Sequence, residues 1–135
     1  MTLQYSAAVL NAELAAILAT IGASAKLEFY TGAPPANCSV AASGTLLATI
    51  SLPATWMGTP AAGVVSMAGA WAGSITAAGT VGYWRIYDST GVTCGAQGTV
   101  TATGGGGDIT VGSTTFGVGM NYTQNTFTIS NTGNA

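Results

Sequence analysis

The chain carries few side chains that could do chemistry, and they are scattered along it. Among its 135 residues there is no histidine, and the two cysteines are Cys38 and Cys94. General acid–base catalysis most often uses histidine, and a serine or cysteine nucleophile needs a base beside it. Two widely spaced cysteines without histidine cannot complete a metal site. We therefore predict no catalytic, cofactor-binding or metal-binding residues, and we expect that the protein is not an enzyme.

Charge is scarce, which makes its placement informative. The six formally charged residues are Glu13, Lys26, Glu28, Arg85, Asp88 and Asp108. A soluble domain usually carries charge on about a quarter of its residues. No charge interrupts residues 29–84, after which the only arginine of the chain appears in the stretch YWRIY.

The alternation around this arginine predicts a β-strand with two different faces. Tyr83, Arg85 and Tyr87 would share one face, because successive side chains of a strand point to opposite sides. Trp84 and Ile86 would share the other face, and we predict that both are buried. An unpaired guanidinium is costly to bury, so Arg85 should either face outward or pair with an acid.

Two interpretations of the arginine face stay open. In the first, Arg85 forms a local structural pair, for which Glu28 on a neighbouring strand is the candidate partner. In the second, Tyr83, Arg85 and Tyr87 form an interface patch, because tyrosine and arginine are enriched at binding hot spots. The second interpretation predicts that Arg85 contributes to attachment to a partner and little to folding.

The pairing of the cysteines is also left open. A disulfide between Cys38 and Cys94 would close a long loop and contribute about 4 kcal/mol in the chain-entropy model. Two separate buried thiols are the alternative. Secreted proteins and virion surfaces are among the places where disulfides persist.

One amphipathic helix is predicted near the start of the chain, at about residues 6–21. Ser6 can cap its beginning, and Gly22 stands where a left-handed residue often ends a helix. Large apolar residues recur at helical spacing along one side. The opposite side is mostly alanine, with Ala12, Ala15, Ala16 and Ala19 as candidate interface residues covered by another subunit. No basic residue precedes Lys26, so we expect this helix to be retained and not cleaved as a signal peptide.

The rest of the chain, at about residues 26–131, reads as short strands separated by Gly, Pro and Asn turns. Such spacing favours an antiparallel β-sandwich or a flattened barrel. The predicted fold is therefore α+β and mostly β, as one structural domain over residues 1–135.

The amino-acid composition limits the kinds of partner that the protein can bind. Ala, Gly, Ser and Thr supply more than half of the residues, and only one Lys and one Arg are present. Two cations cannot build a phosphate-neutralising surface, so we expect no nucleic-acid partner. The long uncharged stretch has too few large apolar residues for a membrane span, so no membrane partner is expected. A surface with so little charge is poorly defended against association, and self-association is predicted.

Five blocks of the sequence resemble a family of small virion proteins of tailed bacteriophages. They are LQYSAAVLNAELAAILATIGAS, YTGAPPANC, GTLLATISLPATWM, AAGTVGYWRIYDSTGVTC and FTISNTGNA, which together span most of the chain. The resemblance implies a structural virion protein, most plausibly a head decoration (cement) protein that stabilises the capsid lattice. It implies the major capsid protein or other virion proteins as partners, and assembly in the bacterial host cytoplasm.

Three other functions are compatible with the sequence. A phage tail or fibre component belongs to the same class. A secreted bacterial adhesin or surface-layer module would be favoured if residues 1–25 were removed. A phage-borne glycan hydrolase would need two carboxylates about 5–10 Å apart in a cleft.

Overall fold

The computed structural model describes residues 3–131, which form one helix followed by ten strands. The helix is α1 (Ala7–Ile21), and the strands are β1 (Lys26–Thr31), β2 (Leu46–Ser51), β3 (Val64–Ser66), β4 (Trp71–Ser74), β5 (Gly79–Tyr87), β6 (Cys94–Ala102), β7 (Ile109–Val111), β8 (Thr115–Phe116), β9 (Asn121–Gln124) and β10 (Thr128–Ser130). An N-terminal helix followed by a β-rich fold was predicted, and the structure confirms this class.

The ends of α1 follow from local sequence. Ser6 has an extended backbone, and its Oγ accepts a hydrogen bond from Val9 N at 3.3 Å. At the other end, Gly22 has φ +88° and its N–H donates to Leu18 O at 2.9 Å. Ser6 supplies a side-chain cap for the first turn, and Gly22 adopts a conformation that a larger residue would resist. The predicted bounds of the helix are confirmed.

The main sheet has the order β2-β1-β5-β6-β7, with β8 added beside the beginning of β5. All of its pairings are antiparallel except that of β6 with β7, which is parallel. The return from β6 to β7 takes only residues 103–108. Gly104 and Gly106 adopt φ +90° and +81° there, a region that favours glycine. This short glycine-rich segment therefore forms a tight crossover between parallel strands.

A second layer covers the inner face of the main sheet. It consists of two small antiparallel sheets, β4 with β9 and β3 with β10. Phe29 on β1 packs edge-on against Tyr122 on β9, with ring centres 4.7 Å apart. Trp84 on β5 packs edge-on against Phe127, just before β10, at 5.5 Å. These contacts join both layers into one hydrophobic core, to which Leu14 and Ile21 of α1 also belong.

Trp84 and Ile86 are buried in this core, as predicted from the two-residue period. Gly98 on β6 lies opposite Trp84 in the sheet. A Cβ atom at position 98 would approach Cζ2 of the indole to 2.7 Å, closer than non-bonded carbons come. The glycine therefore makes room for the largest side chain of the central strand.

We expect Trp84→Ala to lower the free energy of unfolding by about 3–5 kcal/mol, because truncating a core aromatic leaves a cavity and removes apolar burial. Chemical denaturation measures this change. Val92→Ala is the control, since Val92 is 78% exposed and its truncation should change stability by less than about 0.5 kcal/mol. Equal, small effects of both substitutions would contradict the packing described for Trp84.

Candidate functional site

The prediction that one face of β5 forms an exposed interface patch is wrong. The exposed fractions of Tyr83, Arg85 and Tyr87 are 0%, 2% and 7%. The three side chains do share one face of β5, but the segment of residues 32–45, between β1 and β2, lies over that face and hydrogen-bonds to it. This covering segment, together with the polar side chains below it, forms the most elaborate polar cluster described in the chain.

Arg85 holds the covering segment through its backbone. Nη2 of the guanidinium donates to Val40 O at 2.7 Å and to Asn37 O at 3.3 Å. Nε donates to Gln97 Oε1 at 3.1 Å, and Nη1 donates to the Tyr87 hydroxyl at 3.3 Å. The buried cation is thus satisfied by a fan of neutral oxygens, two of which belong to the segment above it.

Two further side chains fasten the same segment. The Tyr83 hydroxyl donates to Ser43 O at 2.6 Å and accepts from Ser43 N at 3.0 Å. Gln97 Nε2 donates to Pro35 O at 2.6 Å, and its Oε1 accepts the hydrogen bond from Arg85 Nε. Both ends of the covering segment are therefore bound to the sheet, and Gln97 serves the arginine and the segment together.

A disulfide between Cys38 and Cys94 adds a covalent tie, with Cα atoms 5.4 Å apart. Cys38 lies in the middle of the covering segment, and Cys94 begins β6. Of the two states that the sequence left open, the structure has the paired one. The bridge fixes the segment at its centre, between the contacts made at Pro35 and Ser43.

Glu28 is opposite Arg85 in the register of β1 and β5, as expected for a cross-strand neighbour. Its carboxylate, however, accepts from the Tyr30 hydroxyl at 2.6 Å and from Thr49 Oγ1 at 3.4 Å. Burial, followed by hydrogen bonding to Glu28 and Tyr87, raises the pKa of the Tyr30 hydroxyl far above its usual range. The hydroxyls of Tyr30 and Tyr87 thus lie between Glu28 and Arg85. A chain of hydrogen bonds takes the place of the predicted direct pair.

Sequence reasoning missed the main partners of Arg85. Gln97 could have been found, since it lies opposite Arg85 once β5 and β6 are paired. The oxygens of Asn37 and Val40 could not, because every residue has a backbone carbonyl and nothing in the sequence shows which will turn inward.

The other predicted interface residues lie on the surface. Ala12, Ala15, Ala16 and Ala19 are all exposed along α1. Val9 and Ile17 are exposed on the same helix, so its outward side is largely apolar. We call the exposed residues Ala8, Val9, Ala12, Ala15, Ala16, Ile17 and Ala19 the outer helix face.

Within residues 3–131, no three of the His, Cys, Asp and Glu side chains come together as a metal-binding group. No helix within residues 3–131 combines the length and the apolar character needed to cross a membrane. Comparison with protein-family models, with curated proteins and with solved structures finds no match.

We expect Arg85→Ala to destabilise the isolated protein by about 2–4 kcal/mol, because it leaves buried carbonyl oxygens without their charged donor. Denaturant unfolding measures the loss. Limited proteolysis should also show faster cleavage within residues 32–45. Lys26→Ala, which removes the other cation of the chain, is the matched control. If both variants unfold at the same denaturant concentration as the parent, Arg85 does not hold the segment.

We expect no free thiol in the denatured, unreduced protein, and a fall of about 4 kcal/mol in unfolding free energy after reduction, from loss of a 56-residue loop constraint. Thiol titration and thermal melting measure the two effects. The Cys38→Ser, Cys94→Ser double variant should match the reduced protein and should not respond to reductant. Two reactive thiols in material from an oxidising environment would contradict the bridge.

Proposed function

We propose that the protein is a non-enzymatic structural component of a bacteriophage virion, and specifically a decoration protein bound to the capsid. The observation that carries the proposal is the outer helix face, an exposed and largely apolar strip on the one helix described. An exposed helix usually presents charged or polar residues to water. On α1 the exposed polar residues are Glu13 and Thr20 and the other exposed residues are apolar, so most of this strip gains free energy when a partner covers it.

The mode of action is binding alone. Many copies would dock on a capsid lattice, each burying apolar surface against the major capsid protein or another virion protein. Alanine side chains let a partner backbone approach closely, and covering them costs little side-chain entropy. The resemblance of the five sequence blocks to tailed-phage virion proteins supports the same conclusion, and the natural location is the virion after assembly in the host cytoplasm.

The disulfide supports a place outside the reducing cytoplasm. Cys38 and Cys94 are bridged in the structure, and such bridges persist on virion surfaces and in secreted proteins. This observation also favours the second candidate, a secreted bacterial adhesin or surface-layer module. A phage tail or fibre component would use the same chemistry at another position in the particle. Locating the chain in a reconstruction of the particle separates these three.

We expect the double variant Ala12→Glu, Ala16→Glu to reduce binding to heads that lack the protein by at least tenfold, because two carboxylates would have to be desolvated in the contact. Both positions are exposed, so unfolding should be nearly unchanged. Co-sedimentation with assembled heads measures binding.

The control for this prediction is Thr59→Glu, which places a carboxylate at an exposed loop position outside α1. It should bind heads like the parent protein. If the parent itself does not bind heads, the decoration role is wrong. If the helix variant binds as well as the parent, the outer helix face is not the contact.

A further inference from the structure

A cleft of about 350 Å³ opens where the C-terminal end of α1 faces the loop between β5 and β6. Its lining combines one side of the helix with the loop and the beginning of β6, through Ala16, Ile17, Thr20, Ile21, Asp88, Thr93, Cys94 and Gly95. We call it the Asp88 cleft. Ala16 and Ile17 also belong to the outer helix face, so a partner that covers this face reaches the cleft as well.

Among the residues that line the cleft, only Asp88 is charged. One oxygen of its carboxylate, Oδ1, accepts from Thr90 Oγ1 at 2.6 Å and from Val92 N and Thr93 N, both at 3.3 Å. Hydrogen bonding, that from Thr90 first, lowers the pKa of the Asp88 carboxyl and so favours its ionised form. The other oxygen, Oδ2, accepts none of these three hydrogen bonds.

Neither basic side chain of the protein balances this carboxylate. Arg85 is buried beneath residues 32–45 and donates to neutral oxygens there. Lys26 passes the same loop at Gly91, where a Cβ atom would be 3.5 Å from Lys26 Cδ, but it does not line the cleft. Neither cation contributes to the lowered pKa of Asp88. The counter-ion of this carboxylate therefore comes from solvent or from a partner.

The end of α1 also favours a cation in the cleft. The negative end of the helix dipole lies at the C-terminus and stabilises positive charge near the last turn. No basic residue occupies the last turn of α1, and Thr20 and Ile21 of that turn line the cleft. Thr20 Oγ1 donates its proton to Ala16 O at 2.7 Å, which leaves the hydroxyl lone pairs available to accept. Carboxylate, helix end and hydroxyl thus favour the same kind of group, a positively charged hydrogen-bond donor.

The geometry of the cleft distinguishes between the two common cations. Ile17 and Ile21 provide apolar surface, along which the methylene groups of a long side chain can pack while the charged end remains near water. Arginine binds a carboxylate best through two parallel hydrogen bonds, one to each oxygen. Because Oδ1 of Asp88 already accepts from three donors, only Oδ2 is open. The compact ammonium of lysine needs a single oxygen, so the cleft suits lysine better than arginine.

We propose that the Asp88 cleft receives a lysine side chain of the protein to which the outer helix face attaches. The lysine methylenes lie against Ile17 and Ile21, and the ammonium donates to Asp88 Oδ2 and Thr20 Oγ1. The inference rests on the proposed attachment to the capsid and deepens it by naming the partner group. Apolar contact is non-directional, whereas complementary charges fix the register of two surfaces. The lysine would therefore set how the helix is placed on its partner.

Asp88→Asn tests the charge while preserving the turn. The amide oxygen can keep the three hydrogen bonds of Oδ1, and the amide nitrogen then presents a donor to the cleft in place of Oδ2. Asp108→Asn is the matched control, because it removes the same charge from a turn-forming aspartate that lies outside the cleft and accepts from Thr99 N. Both variants should unfold like the parent protein.

We expect Asp88→Asn to weaken binding to heads that lack the protein by about three- to fivefold at low ionic strength, as for an ion pair at the border of a contact. Asp108→Asn should bind like the parent. The difference between the two variants should disappear near about 1 M salt, where charges are screened. Co-sedimentation across a salt series measures these affinities.

Chemical modification of the heads identifies the partner group. Acetylation removes the charge of lysine, whereas reductive methylation retains it. Acetylated heads should therefore bind the parent and Asp88→Asn equally, and methylated heads should still distinguish them. On unmodified heads, a zero-length carbodiimide cross-linker should join Asp88 of the parent to a lysine of a head protein, as mass spectrometry of the linked peptides would show.

Four results would overturn the inference. They are no cross-link from Asp88, a cross-link from Asp88 only to Lys26 of another copy, parent-like binding by Asp88→Asn, and equal weakening by the Asp88 and Asp108 variants. If the parent binds heads and Ala12→Glu with Ala16→Glu does not, the attachment through the outer helix face stands and only the lysine inference fails. A parent protein that does not bind heads would overturn both.

Discussion

The fold depends on one constraint, the need to satisfy the guanidinium of Arg85, a residue that is only 2% exposed. Water cannot reach Arg85, so the protein must supply its hydrogen-bond acceptors. The acceptors include the carbonyls of Asn37 and Val40, in a segment with no strand or helix of its own. A chain region that would otherwise be an ordinary surface loop is thereby fixed against the sheet. The disulfide at Cys38 adds a covalent link to the same segment that Arg85 binds through hydrogen bonds.

Burial of β5 on both faces follows from the same arrangement. Its inner face contributes Trp84 and Ile86 to the aromatic core, and its outer face carries the polar cluster under residues 32–45. Close approach on both sides restricts the neighbours. A Cβ atom at Gly82 would lie 1.9 Å from Gly32 O, a severe clash, so only glycine allows the covering segment to leave β1 where it does. The central strand therefore combines the largest side chains of the sheet with positions that have none.

The ends of the helix and the two faces of β5 could be predicted from local sequence, because local signals decide local structure. Ser6 and Gly22 mark the ends of α1, and the two-residue period assigns Trp84 and Arg85 to opposite faces correctly. The prediction that the face of Arg85 is exposed was wrong, because residues 32–45 cover it. Periodicity says which side chains share a face, but it does not say whether a distant irregular segment covers that face. The parallel return from β6 to β7 was missed for a related reason, since the glycines that permit it are equally typical of a hairpin.

The charges themselves explain why the surface is open to association. Arg85 is internal, Glu28 is bound by Tyr30 and Thr49, and the Glu13 carboxylate accepts from Asn131. Asp88 and Asp108 organise turns, and the hydrogen bond from Thr90 lowers the pKa of the Asp88 carboxyl. Five of the six charges thus serve contacts within the chain. Between two copies there is little long-range repulsion, and the outer helix face can approach a partner without separating or desolvating an ion pair.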